Sequence, residues 1–252
     1  MVAKTESGFT VVEVVLFLAI TGMLFAALMV GVGGAVTQQR YLDSVRSFKS
    51  SVQNEFSQVV NTDNQLTGRE GGCTATGETS GAPDSPDERD TRGASNCVML
   101  GKAITIDGTR VTTAPVTALD KTSNDISGMS ELEAFQAYAP RLSGSGSKVN
   151  EVEWGSRLVG VSTASSLKAR VLILRSPISG TVRVFTTIYT SPTIPSTTAL
   201  RSLITEASAV TELSACVDGD SGTMPKQMVK INPRIGGPDA VTIDADAPEC
   251  QS

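Results

Sequence analysis

No histidine occurs among the 252 residues of the chain. This excludes His-based catalytic triads and imidazole proton shuttles, and removes the commonest metal ligand. Aromatic residues are sparse, at 4% with a single tryptophan, so no interleaved rings offer a stacking platform for single-stranded nucleic acid. Basic charge is in deficit, with 21 Lys and Arg against 26 Asp and Glu, a net charge of −5. No bulk positive field advertises a polyanionic partner. The acidic excess lies mainly in two stretches, residues 78–90 and 218–249.

Cysteines number only four, Cys73, Cys97, Cys216 and Cys250, with no CxxC spacing for zinc. An even count in two separated local pairs fits two disulfides and an oxidising, extracytoplasmic compartment. Sequence proximity favours Cys73 with Cys97 and Cys216 with Cys250, while spacing alone leaves the other pairings open. Mechanisms that need no histidine find no constellation here. Glu151 and Glu153 in "EVEWG" read as exposed charges on one strand face rather than an acid/base pair. The "DGDSG" at residues 218–222 lacks the third acidic position and the bidentate glutamate of a calcium loop, and reads as a surface turn. Trp154 reads as a packing residue, in the core or between head and stem. An enzyme, a cofactor and a bound metal are all unexpected.

Residues 9–36 lack polar side chains except Thr10, Glu13 and Thr21. The run exceeds the roughly 20 apolar residues that cross a bilayer as a helix. It is too long for a secretory signal and ends in "GVGGAVTQQR" with no small-residue cleavage site. Its one acid, Glu13, is costly in an apolar zone, by about 2.5 kcal/mol at a helix centre and less near an end. Such a group needs a partner. A cut between Gly8 and Phe9 would create an α-amine four residues before Glu13, on the same helical face.

The stretch "G-FTVVE" followed by an apolar helix resembles the class III leader of type IV pilins and pseudopilins. The resemblance implies that a prepilin peptidase cuts after Gly8 and methylates Phe9. It implies also that Glu13 pairs with the terminal amine of an adjacent subunit during filament assembly. The leader would then be residues 1–8 and the transmembrane or filament-core helix residues 9–36. The partners implied are the peptidase, other pilin or pseudopilin subunits, and the membrane before assembly. The family often carries a helix-breaking proline in this helix; here only Gly31, Gly33 and Gly34 mark a place to bend or unwind.

Beyond residue 36, Tyr41, Val45, Phe48, Val52, Phe56 and Val59 recur at spacings of three and four. This apolar stripe predicts an amphipathic continuation of the helix over residues 37–62. A helix from residue 9 to about residue 60 would be roughly 75 Å long. Residues 63–96 are Gly, Ser, Thr, Asp and Pro with little to bury, and read as an acidic flexible loop. Residues 97–252 read as a β-rich head. Asp107-Gly108 signals a hairpin, Ser130 and Glu133 have capping-box spacing before a short helix, and residues 177–180 turn between two strands. A second helix is predicted over "TALRSLITEASAVTEL", and "QMVKINPRIGGPDAVTID" reads as two strands about a Gly-Gly turn. The fold class is α+β: a long N-terminal helix, membrane-spanning in its first half, packed against a mainly antiparallel sheet.

The tail is similar to that of the H-type pseudopilins and their minor-pilin counterparts, which leans the reading toward a minor subunit. Arg157, Lys168, Arg170, Arg175 and Arg183 fall on the predicted central strands as a candidate basic patch for DNA or an acidic surface. The alternative is that they solvate a sheet face and pair with Glu151, Glu153 and Glu206. The function expected is that of a structural, minor subunit of a type IV pilus or related filament, inserted in the cytoplasmic membrane before assembly and in an extracellular or periplasmic filament after it. The competing readings are a secretion-type pseudopilin and a pilin whose head binds DNA or a surface; nucleic acid is the less favoured partner.

Overall fold

A computed structural model describes residues 10–61, 97–119, 126–143, 146–161, 163, 165–190, 200–219 and 226–250. The chain divides into two compact units, Met1–Leu42 and Asp43–Ser252. The fold is α+β.

Helix α1 runs from Val11 to Val60. From Val11 to Val36 its described apolar side chains are exposed on every side, with Val11 80%, Phe17 67% and Leu28 65% exposed. Two threonine hydroxyls on it are satisfied by the helix itself: Thr21 donates to the Phe17 carbonyl at 2.8 Å and Thr37 to the Gly33 carbonyl at 3.0 Å. Such back-bonding lets a hydroxyl sit in an apolar surrounding without an orphaned donor. The helix continues unbroken through Gly31, Gly33 and Gly34. Glycine weakens a helix by about 1 kcal/mol but, unlike proline, removes no hydrogen bond from the ladder, so no melting follows.

In the second unit the predicted stripe is the buried face of α1. Val45, Phe48, Val52, Phe56 and Val59 are all 5% exposed or less. They face a six-stranded antiparallel sheet built from β1 (Cys97–Asp107), β2 (Arg110–Leu119), β3 (Arg141–Leu142), β4 (Lys148–Glu151), β6 (Lys168–Arg175) and β7 (Val182–Ile188). Its order is β3-β2-β1-β6-β7, with β4 also pairing β2. The fastening between α1 and the sheet is an ion pair, Lys102 Nζ of β1 to Glu55 Oε2 at 2.6 Å, and Lys102 also donates to Gln58 Oε1. Both charges are buried. A buried pair adds little net stability but strongly penalises any arrangement that separates it.

The β1–β2 hairpin turns at Gly108-Thr109, since Asp107 still pairs Arg110. Gly108 takes φ +60°, the conformation that a two-residue turn of this kind assigns to glycine. The turn thus sits one residue later than Asp107-Gly108. At the other end of β1 a bulge between Met99 and Gly101 brings the Gly101 backbone so close to the Ile173 carbonyl that no side chain fits there.

The opposite sheet face carries Leu172, Leu174 and Phe185 and is covered by α2 (Glu131–Ala137) and by Leu200 and Ile204. Phe135 of α2 meets Phe185 edge to face at 5.7 Å. Helix α2 begins with the expected capping box, Ser130 accepting from the Glu133 N–H and Glu133 accepting from the Ser130 N–H at 2.8 Å. The second predicted helix is broken. A 3-10 turn at Arg201–Leu203 is separated from α3 (Glu206–Val210) by Thr205, which is extended and accepts from the Ser208 N–H as an N-cap. A hydroxyl that bonds its own backbone competes with helix continuation, and here it wins.

A second antiparallel sheet, order β10-β9-β8-β5, contains β5 (Arg157–Val159), β8 (Leu213–Asp218), β9 (Gln227–Ile231) and β10 (Val241–Asp244). The β9–β10 connection is not a tight Gly-Gly turn but residues 232–240, including a 3-10 turn at Pro238–Ala240. Gly236 of that connection abuts the Val182 carbonyl of β7 and has no room for a side chain. The Pro238 carbonyl accepts from Gln53 Nε2 of α1 at 3.0 Å.

Candidate functional site

Gly8 and Phe9 lie outside the described residues, so the first described residue of the predicted processing and assembly motif is Thr10. Thr10 precedes α1, and the Glu13 carboxylate turns back to it: Oε2 accepts from the Thr10 N–H at 2.9 Å and from its hydroxyl at 3.0 Å. The Glu13 N–H in turn donates to Thr10 Oγ1 at 3.4 Å. This is the reciprocal arrangement of a capping box, with Thr10 as N-cap and Glu13 as third residue. The acid thus has local partners, and it also stands where the helix dipole favours negative charge. Thr10-x-x-Glu13 is the same signature as Ser130-x-x-Glu133, and the sequence carried it in plain view.

The arrangement does two things chemically. It gives one of the first free N–H groups of the helix, that of Glu13, a partner in Thr10 Oγ1. It also holds a carboxylate at the start of a helix whose 18-residue apolar window is wholly unburied and long enough to cross a membrane. Hydrogen bonds lower the cost of the charge without neutralising it, so a cation brought to Glu13 in an apolar setting still gains strongly.

No family model, curated protein or solved structure matches the chain. Assignment therefore rests on its own residues.

Cys216 and Cys250 form a disulfide, 34 residues apart. It sits at the centre of a small core with Val159, Met228 and Ala247 and ties β8 to the C-terminal residues beyond β10. Cys73 and the side chain of Cys97 fall outside the described residues.

The five basic residues of the candidate patch are distributed rather than gathered. Arg157 is in the smaller sheet and pairs Asp218 at 2.9 Å. Lys168 pairs Asp107 across the larger sheet. Arg170 is 4% exposed, donates to Thr105 Oγ1 at 3.2 Å and lies over the Tyr189 ring. Arg175 donates to the Gly180 carbonyl at 3.1 Å. Arg183 pairs Glu131 at 2.6 Å, and hydroxyls of Ser179 and Thr181 complete the shell around that carboxylate. The Ser179 hydroxyl foremost, with Arg183, holds the Glu131 carboxyl below its ordinary range. The carboxylate partners of Arg157, Lys168 and Arg183 are thus Asp218, Asp107 and Glu131.

Two further expectations change. Trp154 is 55% exposed in a left-handed turn, φ 58° and ψ 33°, and so is not a core residue. Glu151 closes β4 while Glu153 begins a 3-10 turn, so the two do not share a strand face. Asp218 ends β8, and the "DGDSG" motif that follows it lies mostly outside the described residues.

Proposed function

We propose that the protein is a structural subunit, of minor type, in a type IV pilus or related filament, made as a prepilin and assembled from the membrane. The observation that carries the reading is the pairing of a capped carboxylate, Glu13, with an apolar helix segment that no described residue covers. A plain anchor gains only a helix cap from Glu13; an assembling subunit gains in addition a charge that an incoming amine can pair with. In this reading the peptidase cuts after Gly8, Phe9 supplies a methylated amine, and the carboxylate of one subunit receives the amine of the next. The disulfide-braced head is displayed and performs no catalysis.

Mass spectrometry of the mature chain tests the reading. The expected product begins at N-methyl Phe9. A mature chain that retains residues 1–8 ends it. Replacing Gly8 by a bulky residue should leave uncleaved chain in the membrane, because a protease must approach the backbone closely at that point.

A further inference from the structure

The head carries a groove that neither the core nor the stem uses. It lies between α1 and the edge strand β4 and has a volume of about 410 Å³. Ser44, Ser47 and Phe48 form the helical wall; Asn150, Glu151 and Glu153 form the other. Its chemistry is specific. The Ser44 hydroxyl is wholly buried and has no hydrogen-bond partner among the described residues. Buried hydroxyls are nearly always paired, so one left open at the lining of a groove marks room for a hydrogen-bonding guest.

The second wall offers backbone. Strand β4 pairs β2 on one side, and among the described residues no strand lies on its other side. All four of its residues are exposed. The Val152 N–H is donated to the Thr109 carbonyl at 2.8 Å, toward β2. Antiparallel alternation then turns the backbone groups of Val149 and Glu151 outward. Charge sets the third constraint: among the described residues lining the groove, the charged side chains are Glu151 and Glu153, with no cation.

We propose that this groove binds an extended, cationic peptide segment of a partner protein. The segment adds to β4 as a further strand, hydrogen bonds Ser44, and sets a lysine or arginine against Glu151 and Glu153. A small molecule could meet the hydroxyl, but only a polypeptide repeats donors and acceptors at strand spacing along the roughly 13 Å of four residues. The acid rim selects a basic segment over an acidic one.

The test needs no filament and is independent of the assembly reading. Full-length protein in detergent micelles is titrated with acetyl-Thr-Val-Lys-Val-Thr-amide, with Trp154, the chain's single tryptophan, as fluorescent reporter beside Glu153. Calorimetry follows the same titration, so a silent tryptophan does not leave the result open. Saturable binding is expected, weakened at least tenfold when glutamate replaces the lysine, when the peptide backbone is N-methylated, and in the exposed double variant Glu151→Gln/Glu153→Gln. Absence of saturable binding up to millimolar peptide overturns the proposal. Equal affinity for the lysine and glutamate peptides, or for the N-methylated peptide, overturns it too.

Discussion

Val11 and Val45 belong to one helix, yet the first is 80% exposed and the second wholly buried. The residue type is the same; what differs is what the chain supplies around it. From Asp43 onward, α1 meets partners in the head: Lys102 of β1 reaches Glu55, and the Pro238 carbonyl of the β9–β10 connection reaches Gln53. From Val11 to Val36 the described residues leave the apolar side chains exposed, and these run round the whole helix rather than along one stripe. A stripe is completed within the head, whereas an all-round apolar helix calls for surroundings that the described residues do not supply.

The sharpest way to break this contrast is at Glu13. Glutamine keeps the hydrogen-bonding capacity of a capping box and removes the charge; valine removes both. If Glu13 pairs with an amine from another subunit, Glu13→Gln and Glu13→Val both enter sheared filaments at least about a hundredfold less than wild type. The reason is that deleting one partner of a buried pair costs about 3–5 kcal/mol. Membrane levels stay close to wild type. Normal incorporation of the glutamine variant, with loss only for valine, would reduce Glu13 to a helix cap.

One substitution made twice on the same helix tests the contrast in stability. Phe56→Ala, at a wholly buried site, should destabilise the head by about 3–5 kcal/mol. Phe25→Ala, 63% exposed in the stem, should change head unfolding by less than about 0.5 kcal/mol. Denaturant unfolding of the full chain in detergent reads both. Equal effects would mean that the two units do not differ as described.

The smallest effect is on the head alone. Because the Glu131 carboxyl is held below its ordinary range, its stabilising contribution is present above that range and is lost as pH falls through the lowered value. Glu131→Gln should therefore lower the thermal midpoint at pH 7, by the equivalent of under about 1 kcal/mol, since the pair is partly exposed. The difference from wild type should close toward pH 3. A difference that grows in acid would contradict the assignment.

Elements set by neighbours in sequence were legible: the stripe from Val45 to Val59, the Ser130 capping box, the Gly108 turn and the Cys216–Cys250 pairing. Features set by distant partners were not. Nothing near Arg157 announces that β5 pairs with β8 some sixty residues on, so the division into two sheets stayed hidden. Lys102 reads as a surface residue until Glu55 is brought to it. Thr205 looked like an ordinary helix position because its capping role depends on Leu200 and Ile204 turning into the core. At the candidate site, the Thr10-x-x-Glu13 spacing is local, but the apolar run around it makes Glu13 read as an isolated charge rather than as the third residue of a helix.

The ion pair between Lys102 and Glu55 has a mechanical side. Sliding α1 along the sheet by one helical turn, about 5.4 Å, would separate the lysine from both Glu55 and Gln58 in a place with little water to replace them. Apolar contacts alone would let the helix creep by exchanging one greasy neighbour for another. The charged pair instead acts as a detent: under axial tension the junction holds its register until the load suffices to pull the two charges apart, and then it gives way in one step.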